Sequence, residues 1–430
     1  MLTDRQLRDL DSLQRDTFAY FWELANPDNG LVPDSSRTDA PASIAATGMA
    51  LACYVVAAER GWINRREAVE RIQTTLNTFV GPKPAAVSDR GFFHHFLDLH
   101  NANRAWKSEF STIDTTILII GALTAAAYFE GSDAEEPSIR HLAARLYEAA
   151  DWDFALAGGL TVAHGWKPEF GFLRYRWEGY NEGLLLYALA TGSPTHAISP
   201  ASYEAATRTY RWRKIYGLEF VYAGPLFIHQ LSHLWIAFRG IRDRFMESKG
   251  IDYFVNSQRA TLIQQQYSIR NPSRFEGYGV NVWGISASDG PGPSVHTISG
   301  RRRRFWDYRA RGVPWGPDDG TLAPWAVVAS LPFEPALVVR TLEEIDRQHP
   351  EMRSEFGYKC SFNPTYPGDG NRSGWVSSGY YGIEQGPVVL MIENFRSGLI
   401  WRLMQRSRPL VDGLRRMGFR GGWLDENRLR

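Results

Sequence analysis

The chain has 430 residues, enough to bury a sizeable core without help from disulfides or metals. Its 48 Lys and Arg against 47 Asp and Glu leave a formal charge of +1, which excludes the broad positive field of a general nucleic-acid binder. Hydrophobic residues at 44% with charged residues at 22% exclude a disordered chain, and two cysteines, Cys53 and Cys360, exclude a disulfide framework or a Cys-rich zinc site.

The predicted elements are mostly helices. Thr3-Asp4-Arg5-Gln6 fits a capping box, and Leu7, Leu10, Leu13, Phe18, Phe21 and Leu24 then fall mostly at helical spacing. Asn26-Pro27-Asp28-Asn29-Gly30 stops that helix. A second helix, about 43–60, ends at Gly61, and a third opens after Asn64 and stops before Gly81-Pro82. Further helices are predicted at about 111–130, 137–156, 180–191, 201–213, 225–245, 252–266, 321–330, 335–348 and 386–405. Strand signals are few. Residues 91–97 and 104–107 flank a polar turn as a hairpin would, and 172–176 is another short candidate. No βαβ alternation occurs, which argues against a Rossmann fold or a TIM barrel. The stretch 271–320 is rich in Gly, Pro, Ser and Asp and reads as a long functional loop, with Arg301 to Arg304 as a solvated run inside it.

Several helices are apolar all round and others one-sided, a pattern expected of paired helices in a double-ringed, all-α toroid. The apolar stretch 115–129 is shorter than the ~20 residues a bilayer span needs, and the polar start lacks a signal-peptide core. The expected address is cytoplasmic, or periplasmic or secreted if a signal has been removed upstream.

Acidic residues set among Trp, Tyr, Gly and Asn at helix starts carry the chemistry. Trp177-Glu178-Gly179-Tyr180-Asn181-Glu182-Gly183 opens one helix, the segment from Trp106 through Glu109 to Asp114 a second, and the segment from Trp375 through Tyr380 to Glu384-Gln385 a third. Any one carboxylate there suits the helix dipole and capping, so alone each reads as structural. Three such segments together read as a carbohydrate cleft, where aromatic faces stack on sugar rings and two carboxyl groups, one protonated and one ionised, flank the scissile bond. His229 and His233 lie four apart as zinc ligands would, but Gln230 and the surrounding Leu and Trp favour core histidines.

These segments resemble the bacterial glucoamylase-like family that includes glycoside hydrolase family 144, the endo-β-1,2-glucanases. The resemblance runs through Ser43-Ile44-Ala45-Ala46-Thr47-Gly48, Gly91 to Asp98, Glu109 to Thr115, Gly179-Tyr180-Asn181-Glu182, Gly192 to His196, Asp318 to Pro324, and Gln385 to Gly398. It implies an (α/α)6 toroid built as one catalytic domain over residues 1–430, acting on β-1,2-glucan or sophorooligosaccharides with no cofactor or metal. The outcome it implies is hydrolysis, with inversion; transglycosylation with retention and a non-catalytic sugar binder are the alternatives. Glu182 is the expected general acid, and Glu384, Asp114 and Glu109 are the candidates for the second carboxylate. Arg37, His95, Trp106, Trp177, Glu178, Tyr180, Asn181, Trp283, Asp319, Trp375, Tyr380 and Gln385 are the expected sugar-binding residues. The chain departs from the family pattern at Glu384, where Asp is usual, and at Trp325, where a small residue is usual.

Overall fold

The computed structural model describes residues 2–132, 135–368 and 373–426. Among them run fifteen helices: α1 Asp4–Glu23, α2 Ile44–Glu59, α3 Arg65–Val80, α4 Thr112–Tyr128, α5 Glu136–Glu148, α6 Leu184–Gly192, α7 Pro200–Thr207, α8 Arg244–Lys249, α9 Tyr253–Arg270, α10 Pro324–Val328, α11 Pro335–Gln348, α12 Gly382–Arg396, α13 Leu399–Met404, α14 Arg408–Arg416 and α15 Gly422–Glu426. None is long and apolar enough to cross a membrane. Capping boxes start α1 at Thr3, as the sequence predicts, and α3 at Asn64, where it predicts a helix start.

Helices that are apolar all round lie inside. Every residue of α2 from Ile44 to Ala57 is buried, and α4 and α6 are nearly as enclosed. Glycine lets α2 and α4 touch: a Cβ on Gly121 would collide with the Gly48 carbonyl oxygen. α2 also packs on α12, α12 on α10, and α4 on α6. One-sided helices cover them, α1 over α12, α3 and α5 over the α2–α4 pair, and α11 over α10. One hydrophobic cluster runs from Leu10 to Leu424.

The chain is thus mostly helical, with a fringe of strands none longer than five residues among the described positions. Five form an antiparallel sheet in the order Ser88–Asp89, Phe92–His94, Phe110–Ser111, Gly165–Lys167, Gly171–Phe172. Ala42–Ser43 pairs with Phe96–Leu97. These strands aim the helices. Ser43 and Ser111 each end a strand and cap the next helix, accepting from the amides of Ala46 and Asp114.

Three expectations need correction. The hairpin between 91–97 and 104–107 reduces to a bridge from Leu97 to Arg104, because Phe92–His94 pairs with Phe110–Ser111 instead. Arg301 to Arg304 is no loose loop. It belongs to strand Arg301–Phe305, paired with Ser294–Ile298 across Ser299-Gly300, whose positive φ values of 50° and 71° suit a tight hairpin turn. Arg303 lies over the Phe275 ring and donates to Ser273 and Arg274 carbonyls, while Arg302 and Arg304 face solvent. The helix expected at 225–245 is two 3-10 turns, Leu226–His229 and Leu231–Leu234, followed by irregular chain as far as α8. Gln230 there bonds the Ala326 carbonyl and His233 bonds Ser257, so tertiary partners replace helical ones.

Candidate active site

The strand-to-helix junctions leave a cavity of about 670 Å³ beside the N-terminal ends of α2, α4 and α12. Its walls include Asp34, Arg37, His95, Trp106, Asp114, Tyr308 and Tyr381. A larger depression of about 850 Å³ lies between α7, α8 and the end of α14. Its buried acid, Asp243, is already occupied by the hydroxyls of Tyr203 and Tyr253 and the Met246 amide.

His95 organises the smaller cavity. It sits between Phe92–His94 and Phe96–Leu97, stacked on Phe96 at 3.8 Å. Its Nδ1 lies 3.1 Å from Glu109 Oε1 and its Nε2 lies 3.6 Å from Asp114 Oδ1. Burial alone would depress the imidazole, but Asp114, Glu109 and Asp34 outweigh burial and raise it to about 9. Glu109 responds in the opposite sense. Burial would raise it, yet its hydrogen bond to the imidazolium and that ring's charge bring it down to about 2. Asp114 is tied as well, its Oδ2 accepting from the Ser111 hydroxyl.

Asp34 stands opposite this cluster. Its amide donates to the Pro41 carbonyl at 2.7 Å and its carbonyl accepts from Gly382 at 2.9 Å, which pins it between α2 and α12. Burial foremost, with Asp114 adding to it, lifts its carboxyl to about 6 against the opposing pull of His95 and Arg37. Arg37 itself pairs with Asp289, which also accepts from Ser377, and lies over the Tyr381 ring.

Glu182 lies half-buried in the turn before α6. That turn is tied by Asn181, which accepts from the Gly183 amide and donates to the Glu178 carbonyl. Burial raises the Glu182 carboxyl to about 7; its own backbone amide opposes this and Asp114 adds to it.

Trp106 is the most exposed of the aromatic residues lining the cavity, 66% accessible and tilted against Phe96. Its φ of 51° is costly for a bulky side chain, about 1–3 kcal/mol. Arg104 holds that turn by donating to the Ser108 and Lys107 carbonyls while paired with Glu169.

The structure thus gathers Arg37, His95, Trp106, Glu109 and Asp114, with Glu182 in electrostatic reach of Asp114. Other expected residues lie elsewhere. Glu384 is enclosed behind Tyr308, whose hydroxyl donates to it at 3.1 Å, and burial holds its carboxyl well above the usual range. Trp177 is buried, stacked on His164 and bonded to Thr112, because it packs the floor between α4 and α6. Trp283 is fully enclosed, and Asp319 is buried in an ion pair with Arg311. Gln385 donates inward to the Phe356 carbonyl, and Tyr380 packs edge-on to the Phe356 ring. Trp375 sits in a strand paired with Phe362–Asn363, Tyr180 stacks on Tyr253, and Glu178 accepts from Thr161 away from the cavity. His229 and His233 are core residues, depressed by burial to about 4 and about 3.

Sequence reasoning missed Asp34, Tyr308 and Tyr381. Tyr381 was one step away: its extended backbone turns Tyr380 and Tyr381 to opposite sides, and Tyr381 lines the cavity. Asp34 and Tyr308 lie in irregular chain with no periodicity to mark them.

These features define a mostly helical protein with an acidic, aromatic-walled cleft at the N-terminal ends of its inner helices. Within that class, the chain belongs to the Glycoamylase family, described as "Putative glucoamylase", which matches residues 174–408. It is 28% identical, over 97% of its length, to a Parabacteroides distasonis protein named exo β-1,2-glucooligosaccharide sophorohydrolase (non-reducing end), and spans 58% of that relative's length. A Bacteroides uniformis crystal structure of the same description as the family superposes with a TM-score of 0.87 at 28% identity, covering 98% of this chain and 99% of that one. A β-1,2-glucanase from Parabacteroides distasonis superposes with a TM-score of 0.81 at 26% identity, covering 97% of this chain and 60% of that one.

Proposed function

We propose that the chain is a glycoside hydrolase cleaving β-1,2-linked glucans, with the His95 cleft as its active site on a single (α/α)6 domain. The packing of α2 against α4 and α12, of α4 against α6 and of α12 against α10 supports an inner ring of this kind. The observation that carries the chemistry is Glu182, lifted to about 7 by burial with Asp114 adding to it, while the His95 imidazolium holds Glu109 down at about 2. One carboxyl keeps a proton near neutrality while another, Glu109, stays charged, which is the kind of division of labour glycoside hydrolysis requires. The β-1,2 linkage follows from the named relatives.

Incubation with linear β-1,2-glucan should release short oligosaccharides resolved by chromatography, with no release from starch or cellulose. Cleavage of starch alone would overturn the linkage, and products longer than the substrate would indicate transfer. Chelation should leave the rate unchanged. His95, Glu109 and Asp114 present ligand atoms within 4.8 Å of one another, but the protonated imidazolium already supplies the positive charge a cation would bring. Loss of activity with EDTA, restored by a divalent ion, would reverse that reading.

Trp106→Ala should weaken sophorooligosaccharide binding in calorimetry while leaving the unfolding midpoint in place. Trp177→Ala should instead cost about 3 kcal/mol of stability, since it empties a packed site. The opposite ranking in denaturant titrations would return Trp177 to the sugar-binding surface.

A further inference from the structure

Which carboxylate activates the attacking water can be argued by weighing Asp34 against the three candidates the sequence offers, Glu109, Asp114 and Glu384. A general base must be ionised, must keep a lone pair free, and must be basic enough to take a proton. Glu109 is free to ionise, but its bond to the His95 imidazolium leaves it at about 2, too weak to draw a proton from water. Asp114 spends Oδ2 on the Ser111 hydroxyl, and its Oδ1 faces His95 Nε2. Glu384 is buried behind Tyr308, and burial favours its neutral form.

Asp34 meets all three requirements. It lines the cavity, and its carboxylate makes no hydrogen bond or ion pair among the described residues. Arg37, the cation nearest in sequence, is drawn away by Asp289. The backbone bonds to Pro41 and Gly382 nevertheless hold Asp34 in place, so its freedom is confined to the acceptor atoms. The charged and titratable groups around it are His95 from the sheet edge, Asp114 from α4, Glu384 from α12, Tyr20 from α1, and Arg37 and Tyr308 from the flanking loops. Asp114 also acts on Glu182, so one carboxylate couples electrostatically to both members of the pair.

We infer that Asp34 is the general base of the hydrolysis, paired with Glu182 as general acid. The inference rests on the reading of this cleft as a β-1,2-glucanase site. In the step, a water oxygen bonds to the anomeric carbon as one of its protons passes to Asp34. The bond from that carbon to the leaving sugar oxygen breaks, and that oxygen takes the proton of Glu182. One water is consumed, and solvent exchange returns Asp34 to its ionised form and Glu182 to its protonated form.

The test uses the full chain on linear β-1,2-glucan. Asp34→Asn should lower kcat by at least about 100-fold with KM little changed and the unfolding transition preserved. In Asp34→Ala, sodium azide should restore turnover and yield α-glucosyl azide, because an anionic nucleophile needs no base. A residue that only shapes the loop would not respond to azide. Near-normal kcat in Asp34→Asn, while the wild type is active, overturns the role of Asp34 alone. A wild-type chain inert on β-1,2-glucan overturns the hydrolase reading and the base with it. If Asp34→Asn does not fold, the wild-type pH profile decides. Its kcat/KM should fall below about pH 6, and a flat profile down to about pH 5 refutes the assignment.

Discussion

Glu182→Gln should reduce kcat by at least about 100-fold while the protein unfolds at its usual midpoint. The amide keeps the shape of the side chain but has no proton to give the leaving oxygen. Outside its own turn, Glu182 is held through its backbone carbonyl, which accepts from the Ser232 hydroxyl and is untouched by the substitution. The pH dependence follows from the same environment. Burial lifts Glu182 to about 7, so the free enzyme holds the proton below that value and loses it above, and kcat/KM should fall on the alkaline side of about 7. With Asp34 lifted to about 6, the acid limb lies below that value, giving a narrow bell between the two. In Glu182→Gln the alkaline limb should disappear. Persistence of that limb, or turnover within tenfold of wild type, would remove Glu182 from proton transfer.

How far these groups were legible in sequence depends on what held each one. Helix starts announce themselves through local chemistry, so the box at Thr3–Gln6, the helix start after Asn64 and the apolar run of α2 could be read directly. Glu109, Asp114 and Glu182 stood out for a related reason, acids and aromatics crowding the starts of inner helices, whereas His95 came only from the resemblance of the 91–98 segment. Residues brought in by long-range contact were not legible. Asp34 enters the site because Gly382, far along the chain, takes its carbonyl. Trp177 and Tyr380 carry the right side chains in the right segments, but their direction is decided by backbone geometry, which composition does not report. His229 and His233 sit at helical spacing on a segment that is not α-helical, since bonds to Asn256 and Ser257 of α9 hold each ring separately.

Asp319 is a further case, and its replacement should have the largest effect on stability. Its carboxylate meets Arg311 through two bonds, Nε to Oδ1 at 2.7 Å and Nη2 to Oδ2 at 2.9 Å, with both side chains wholly enclosed. Arg311 also donates to the carbonyls of Ser288, Trp306 and Asp307, while Asp319 accepts from the amides of Trp306 and Thr321. The pair therefore ties together both strands of the Ala287–Ser288 and Arg309–Ala310 ladder and the loop that presents Tyr308. Asp319→Ala would leave a buried guanidinium without its counter-charge, and chemical denaturation should show a loss of about 3–5 kcal/mol. Arg311→Met combined with Asp319→Leu removes both charges and should cost less than the sum of the single changes, the sign of direct coupling. Because Asp289 and Tyr308 flank this ladder, the single variant should also raise KM, through displacement of Arg37 and Tyr308 rather than loss of a sugar contact. A stability loss below about 1 kcal/mol, combined with a specific loss of oligosaccharide affinity, would instead place Asp319 among the residues that hold the substrate.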